Sequence, residues 1–138
     1  MKKTISAVIK LSVALTLLSA CSLNALSSSA PRITKEELKS MLGNAKLVIF
    51  DVRRTKDWNS SEYKIKGAVR ADPDPKKIES SVSSYGKDKT FVVYWAWPNE
   101  HTSARAVLNL MDKGYTKAYA LKGGWYEWLN AKYPIEKK

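Results

Sequence analysis

Thiols and imidazoles are almost missing from this chain: its 138 residues include one cysteine, Cys21, and one histidine, His101. One cysteine cannot close a disulfide within a chain, and one histidine without clustered thiols or carboxylates offers no metal site. The sequence calls for no metal and no cofactor. The apolar run Leu11 to Leu18 is too short for a bilayer span, which takes roughly 20 residues. Acids are scarce beside bases, 13 against 24, for a formal charge of +11. That balance predicts attraction to acidic proteins, anionic headgroups or small oxyanions. A plain solubilising surface is the simpler account. The lysines are scattered, so no nucleic-acid partner is expected. The length suits one domain, expected to be monomeric.

The first twenty residues stand apart from that domain. Lys2 and Lys3 form a basic start, Leu11 to Leu18 an apolar centre, and Leu18-Ser19-Ala20 places small residues before Cys21. This order resembles a bacterial lipoprotein signal rather than an ordinary secretory peptide. The resemblance implies a signal peptide over 1–20, lipidation of Cys21 and a Ser/Ala-rich tether over 21–31, with the folded domain at 32–138. It implies export to the cell envelope and a membrane partner through the N-terminal lipid. Ser22 after the cysteine resembles an outer-membrane address. Removing Lys2, Lys3 and Lys10 from the 24 bases leaves 21 against 13 acids, a mature charge of +8. A lipidated Cys21 leaves the domain without any thiol.

Thr34-Lys35-Glu36-Glu37 reads as a capping box opening a helix with Leu38, Met41 and Leu42 on its apolar face, ended by Gly43-Asn44. Leu47 to Phe50 reads as a core strand running into Asp51-Val52-Arg53. Asp72 to Pro75 is a rigid turn, and Ile78, Val82 and Tyr85 give a loose helical face. Residues 89–94 form the central apolar strand. Trp97-Pro98-Asn99 breaks it, since proline removes a backbone donor. Ala104, Val107, Leu108 and Met111 then fall on one face of a helix over 100–113. Gly114 caps that helix, Ala118 to Leu121 is a further strand, and Trp125, Trp128 and Leu129 are expected to bury one side of a last helix. Apolar strands alternating with short helices imply an α/β domain with a mainly parallel sheet.

The segment Tyr94-Trp95-Ala96-Trp97-Pro98-Asn99-Glu100-His101-Thr102-Ser103-Ala104 resembles the active-site segment of the rhodanese-like (sulfurtransferase) family. There a strand ending in Tyr-Cys leads through a short loop to a helix with Ser-Ala near its start. Asp51-Val52-Arg53 resembles a second family signature. Tyr63 to Val69 resembles its His-Ile-Pro-Gly-Ala segment, with Lys64 and Lys66 replacing the histidine and proline. Leu121-Lys122-Gly123-Gly124-Trp125-Tyr126-Glu127-Trp128 resembles its Leu-x-Gly-Gly-x-x-x-Trp ending. The resemblance spans 33–129. It implies a single rhodanese-like domain, α/β, with a mainly parallel central sheet and helices on both faces.

In that family the cysteine carries sulfur as a persulfide, and Trp95 occupies its place here. Indole has no ionisable thiol, so Trp95 cannot hold and release sulfur. Trp97 cannot either. His101, Ser103 and Asp51 invite a hydrolase triad, but no nucleophile-elbow pattern surrounds Ser103. Two readings of Trp95 remain: core packing, or a recess lined by Trp95, Trp97 and Trp58. In the recess, loop N–H groups with Arg53 or Arg105 hold an anion, or the indoles hold a cation. The candidate ligand loop is thus 95–103, with Asp51, Arg53, Trp58 and Arg105 in support and no catalytic residue. The expectation is a binding or interaction module without sulfurtransferase activity of its own. The alternatives are a domain relaying sulfur anions to a partner's thiol, and a purely structural envelope protein.

Overall fold

The computed structural model describes residues 29–138. The signal peptide, Cys21 and most of the tether lie outside the described residues.

The described residues form seven strands and five α-helices, with a 3-10 turn at Pro75–Lys77. They are β1 (Arg32–Ile33), α1 (Lys35–Met41), β2 (Leu47–Asp51), α2 (Thr55–Asn59), β3 (Tyr63–Ile65), β4 (Val69–Arg70), α3 (Ile78–Val82), β5 (Thr90–Tyr94), α4 (His101–Asp112), β6 (Ala118–Leu121), α5 (Gly124–Asn130) and β7 (Ile135–Lys137). Five strands form one sheet in the order β1-β6-β5-β2-β4. Every pairing in it is parallel. β3 and β7 form a separate antiparallel pair.

Strand alternation sends successive side chains to opposite faces of the sheet. Val48, Phe50, Phe91 and Val93 join α3 and α4 residues in one hydrophobic cluster. Ile49, Val92 and Tyr94 join Leu38, Trp125 and Trp128 from α1 and α5 in the other. Central strands covered on both faces read as unbroken apolar runs, which is why β2 and β5 stand out in the sequence.

The capping box is present. Thr34 Oγ1 accepts from Glu37 N at 3.2 Å, and Glu37 Oε2 accepts from Thr34 N at 2.8 Å. Two expectations need correction. The buried face of α4 is Ser103, Ala106, Val107 and Leu110, with Ala104, Leu108 and Met111 only partly buried at its flank. Small Ser103 and Ala106 face the sheet, where a close backbone approach favours them over bulk. Leu129 is exposed, while Trp125 and Trp128 bury the inner side of α5. Just before β1, Ala30 is buried and Pro31 O accepts from Ala120 N at 2.8 Å. β7 carries too few apolar residues to show in the sequence. Its pairing with β3 creates it.

Because the main strands are parallel, Asp51, Arg70, Tyr94 and Leu121 end at one edge of the sheet. Open α/β sheets bind their ligands at that edge. The candidate site lies there.

Candidate functional site

Asp51 ends β2 opposite Tyr94, its register partner on β5. Its carboxylate is fully buried. It accepts from Arg53 N at 3.0 Å, from Arg53 Nε at 2.9 Å and Nη2 at 2.7 Å, and from the Tyr94 hydroxyl. Arg70 Nη1 adds a cation 3.6 Å from Asp51 Oδ1. Tyr94 OH in turn accepts from Ile65 N at 3.2 Å, and Arg53 Nη2 donates to Tyr63 O at 3.0 Å. The network therefore ties the ends of β2 and β5 to β3. Burial, with the Asp51 charge adding to it, pushes the Tyr94 hydroxyl well above its ordinary pKa. The phenol stays protonated and keeps donating.

The Arg53 guanidinium is fully buried between aromatic rings, 4.3 Å from the centre of Trp125 and 5.1 Å from that of Trp58. Trp58 also faces Arg70 at 4.8 Å and Lys138 Nζ at 4.5 Å. Stacking over indole offsets part of the cost of burying these cations. Two buried donors, Arg53 Nη1 and Trp95 Nε1, have no hydrogen-bond partner among the described residues.

The loop after β5 is held from α5. Trp95 O accepts from Trp125 N at 2.8 Å and Ala96 O from Tyr126 N at 3.4 Å. Gly124 makes this approach possible: a Cβ there would lie 2.5 Å from Trp95 O and 3.1 Å from Trp97 O. At the far end of the loop Glu100 adopts a left-handed backbone, φ 56°. Its buried carboxylate accepts from Gly123 N at 3.0 Å and pairs with Arg32 at the start of β1. Such strain in a non-glycine residue persists only where surrounding contacts hold it. The N–H groups of Ala96, Trp97 and Asn99 meet no backbone acceptor among the described residues.

The three indoles do not share one cage. Trp95 packs against the cluster on the α3–α4 face. Trp97 is half-exposed and lies 4.9 Å from the Tyr126 ring. Trp58 stacks with the cations around Arg53. Arg105 is exposed on α4 and lines a shallow pocket with Asp74, Pro75, Lys76 and Asn109. Pro98, Asn99 and His101 are exposed, Thr102 is half-buried, and Ala96 is buried. No triad is assembled: Ser103 Oγ donates to Glu100 O at 3.0 Å, Asp51 serves Arg53 and Tyr94, and His101 faces solvent. Among the described residues no group of three or more His, Cys, Asp or Glu side chains is placed to hold a metal.

Sequence reasoning missed Tyr94, Arg32 and Gly124 as site residues. A lone phenol ending an apolar strand beside a strand-end aspartate was the available signal for Tyr94. Nothing local marks Arg32, whose partner is 68 residues away.

Solved structures share this fold. A full-length protein from Lactobacillus plantarum superposes with a TM-score of 0.68 at 26% identity, covering 83% of this chain and 92% of that one. The rhodanese-like domain of an Anabaena protein does so at 0.64 and 28%, covering 78% and 80%. A protein of unknown function from Rhodopseudomonas palustris, described as a possible tyrosine phosphatase, shares the fold at 0.66 and 24%, covering 82% and 89%. No curated protein matches the chain. The family model for the rhodanese-like domain matches residues 34–131. With that match spanning the network of Asp51, Arg53 and Tyr94 and the loop that Gly124 admits, the chain belongs to the rhodanese-like domain family.

Proposed function

We propose that this rhodanese-like domain is a binding or interaction module, anchored by a lipid on Cys21 in the bacterial cell envelope, with no sulfurtransferase activity of its own. One observation carries the catalytic part: residues 29–138 contain no cysteine, and Trp95 follows β5 where the family's nucleophile is expected. Sulfane transfer needs a thiolate that accepts sulfur and gives it up again, and no other side chain of this domain does both. The Ser103 hydroxyl is committed to Glu100 O. The basic surface and the exposed Trp97 suit an acidic envelope protein as partner.

The test is thiosulfate:cyanide sulfurtransferase activity of residues 22–138 beside the Trp95→Cys variant. The parent should be inert. Gain of activity in the variant means the loop is an intact cradle missing only its nucleophile. Activity in the parent would overturn the proposal.

A second reading rests on the loop after β5, where the N–H groups of Ala96, Trp97 and Asn99 meet no backbone acceptor and buried Trp95 Nε1 has no partner among the described residues. Here the domain binds a small sulfur oxyanion and passes it to a partner's thiol. A thiosulfate-dependent change in tryptophan fluorescence supports it, and a flat titration removes it.

A further inference from the structure

The lysines look scattered in sequence, but the fold gathers several of them. Every strand of the main sheet is entered at the edge opposite the candidate site. The turns that enter β2, β5 and β6 carry Lys46, Lys87, Lys89 and Lys117, with Asp88 as their acid. Backbone bonds hold these turns side by side: Thr90 N donates to Lys46 O at 2.8 Å, and Phe91 N to Lys117 O at 2.7 Å. Lys89 Nζ reaches Ala45 O at 3.0 Å, and Lys87 Nζ lies 5.4 Å from the Tyr115 ring. Lys46, Lys87 and Lys117 are exposed.

The opposite edge mixes its signs. Arg54 pairs with Asp57 at 3.0 Å and Arg32 with Glu100, while Asp72 and Asp74 follow β4.

The chain preceding the domain arrives at the lysine edge. Arg32 is level with Ala120 in the parallel pairing of β1 with β6. Ahead of it, Pro31 O accepts from Ala120 N at 2.8 Å, so the parallel direction of β1 and β6 brings the preceding chain in from the side where β6 begins. Seven residues lie between Cys21 and Ser29, making eight Cα-to-Cα steps. Fully extended, they reach at most about 28 Å.

We infer that the edge bearing Lys46, Lys87, Lys89 and Lys117 is a docking surface for the anionic phospholipid headgroups of the membrane holding the N-terminal lipid, with the loop 95–100 facing away. The inference rests on the anchoring reading above and adds an orientation to it. Clustered lysines are drawn to anionic headgroups within a Debye length of the surface, and this attraction orients a chain that a lipid already holds there. A leash of this length keeps the domain near the bilayer, and the attraction of the lysines for headgroups sets which edge faces it. The loop lies across the sheet, about 16 Å away for a five-residue strand such as β5. A partner would meet Trp97 and its loop from the aqueous side.

The experiment uses the full mature chain, reconstituted in vesicles of phosphatidylcholine alone or mixed with phosphatidylglycerol. A water-soluble amine reagent labels its lysines, and mass spectrometry reads each site. On the anionic vesicles Lys46, Lys87 and Lys117 should react several-fold more slowly than on neutral ones, while Lys56 and Lys122 at the loop edge keep their rates. K46E/K117E should abolish the slowing at Lys87, and K56E/K122E should leave it. Equal rates on both vesicles, or slowing at Lys56 and Lys122, overturns the inference. So does slowing produced by an acidic polypeptide and by neither vesicle. Acylation of Cys21 is read separately, from the mass of the N-terminal peptide. A chain without lipid defeats the anchoring reading alone. Added from solution, it should still co-sediment with anionic vesicles and lose that binding in K46E/K117E. Failure to co-sediment overturns the docking surface.

Discussion

The Tyr94 hydroxyl donates to the Asp51 carboxylate straight across the β2–β5 pairing, and Arg53 grips the same carboxylate from the chain beyond β2. In place of a free charge at the strand ends, the fold holds a closed, buried network. Its energetics can be measured one residue at a time.

Removing the anion should be severe. Asp51→Ala leaves the Arg53 guanidinium buried and uncompensated, and breaking a buried pair in this way costs about 3–5 kcal/mol. Urea unfolding should show that loss. The double variant Asp51→Asn with Arg53→Met should recover part of it. A loss below about 1 kcal/mol for Asp51→Ala would mean water reaches the pair.

Stability should fall in alkali because of Tyr94. Its folded pKa is raised by burial and by Asp51, whereas in the unfolded chain it titrates near 10. The folded state therefore holds a proton that the unfolded state releases. This contribution is complete below about pH 10 and is lost as pH rises through the folded pKa. Unfolding free energy measured from pH 8 to 11 should drop at the top of that range. Tyr94→Phe should be less stable at pH 8 and show a shallower alkaline fall. An unchanged slope in the variant counts against Tyr94 as its source.

Gly123 and Gly124 both have positive φ, yet they should differ as alanines. At Gly124 the new Cβ meets the carbonyl oxygens of Trp95, Ala96 and Trp97, which belong to backbone. At Gly123 it meets the Glu127 carboxylate, which can swing away, and Glu127 Cβ at 2.8 Å, which needs a small shift of α5. Gly124→Ala should cost more than Gly123→Ala by about 1–3 kcal/mol, as overpacking does. It should also shift the tryptophan emission, since Trp95 and Trp97 move with the loop. Equal costs would place the penalty in backbone conformation alone.

At Glu100 the neutral isostere should separate two roles. Glu100→Gln keeps an acceptor for the buried Gly123 N–H and loses only the pair with partly exposed Arg32, a change of about 0–1 kcal/mol. Glu100→Ala orphans that N–H and should cost about 1–3 kcal/mol. Thermal unfolding of both variants checks the order.

The sequence by itself determined the frame. Unbroken apolar runs located β2, β5 and β6, because strands covered on both faces need apolar residues at every position. The Thr34–Glu37 box located α1, because its partners are three residues apart. Composition alone removed thiol chemistry from residues 29–138. Tertiary structure decided the rest. Which face of α4 is buried depended on how closely the sheet approaches Ser103 and Ala106, which periodicity does not encode. The separation of Trp58, Trp95 and Trp97 into different surroundings came from packing against α5, the α3–α4 face and the Arg53 cation. Glu100, a loop residue in sequence, becomes a strained latch only through Arg32 and Gly123, 68 and 23 positions away. The lysines become one edge only because parallel strands bring their entry turns together. Local rules record near neighbours along the chain, whereas buried charges and clustered surface charges are set by neighbours that meet only on folding.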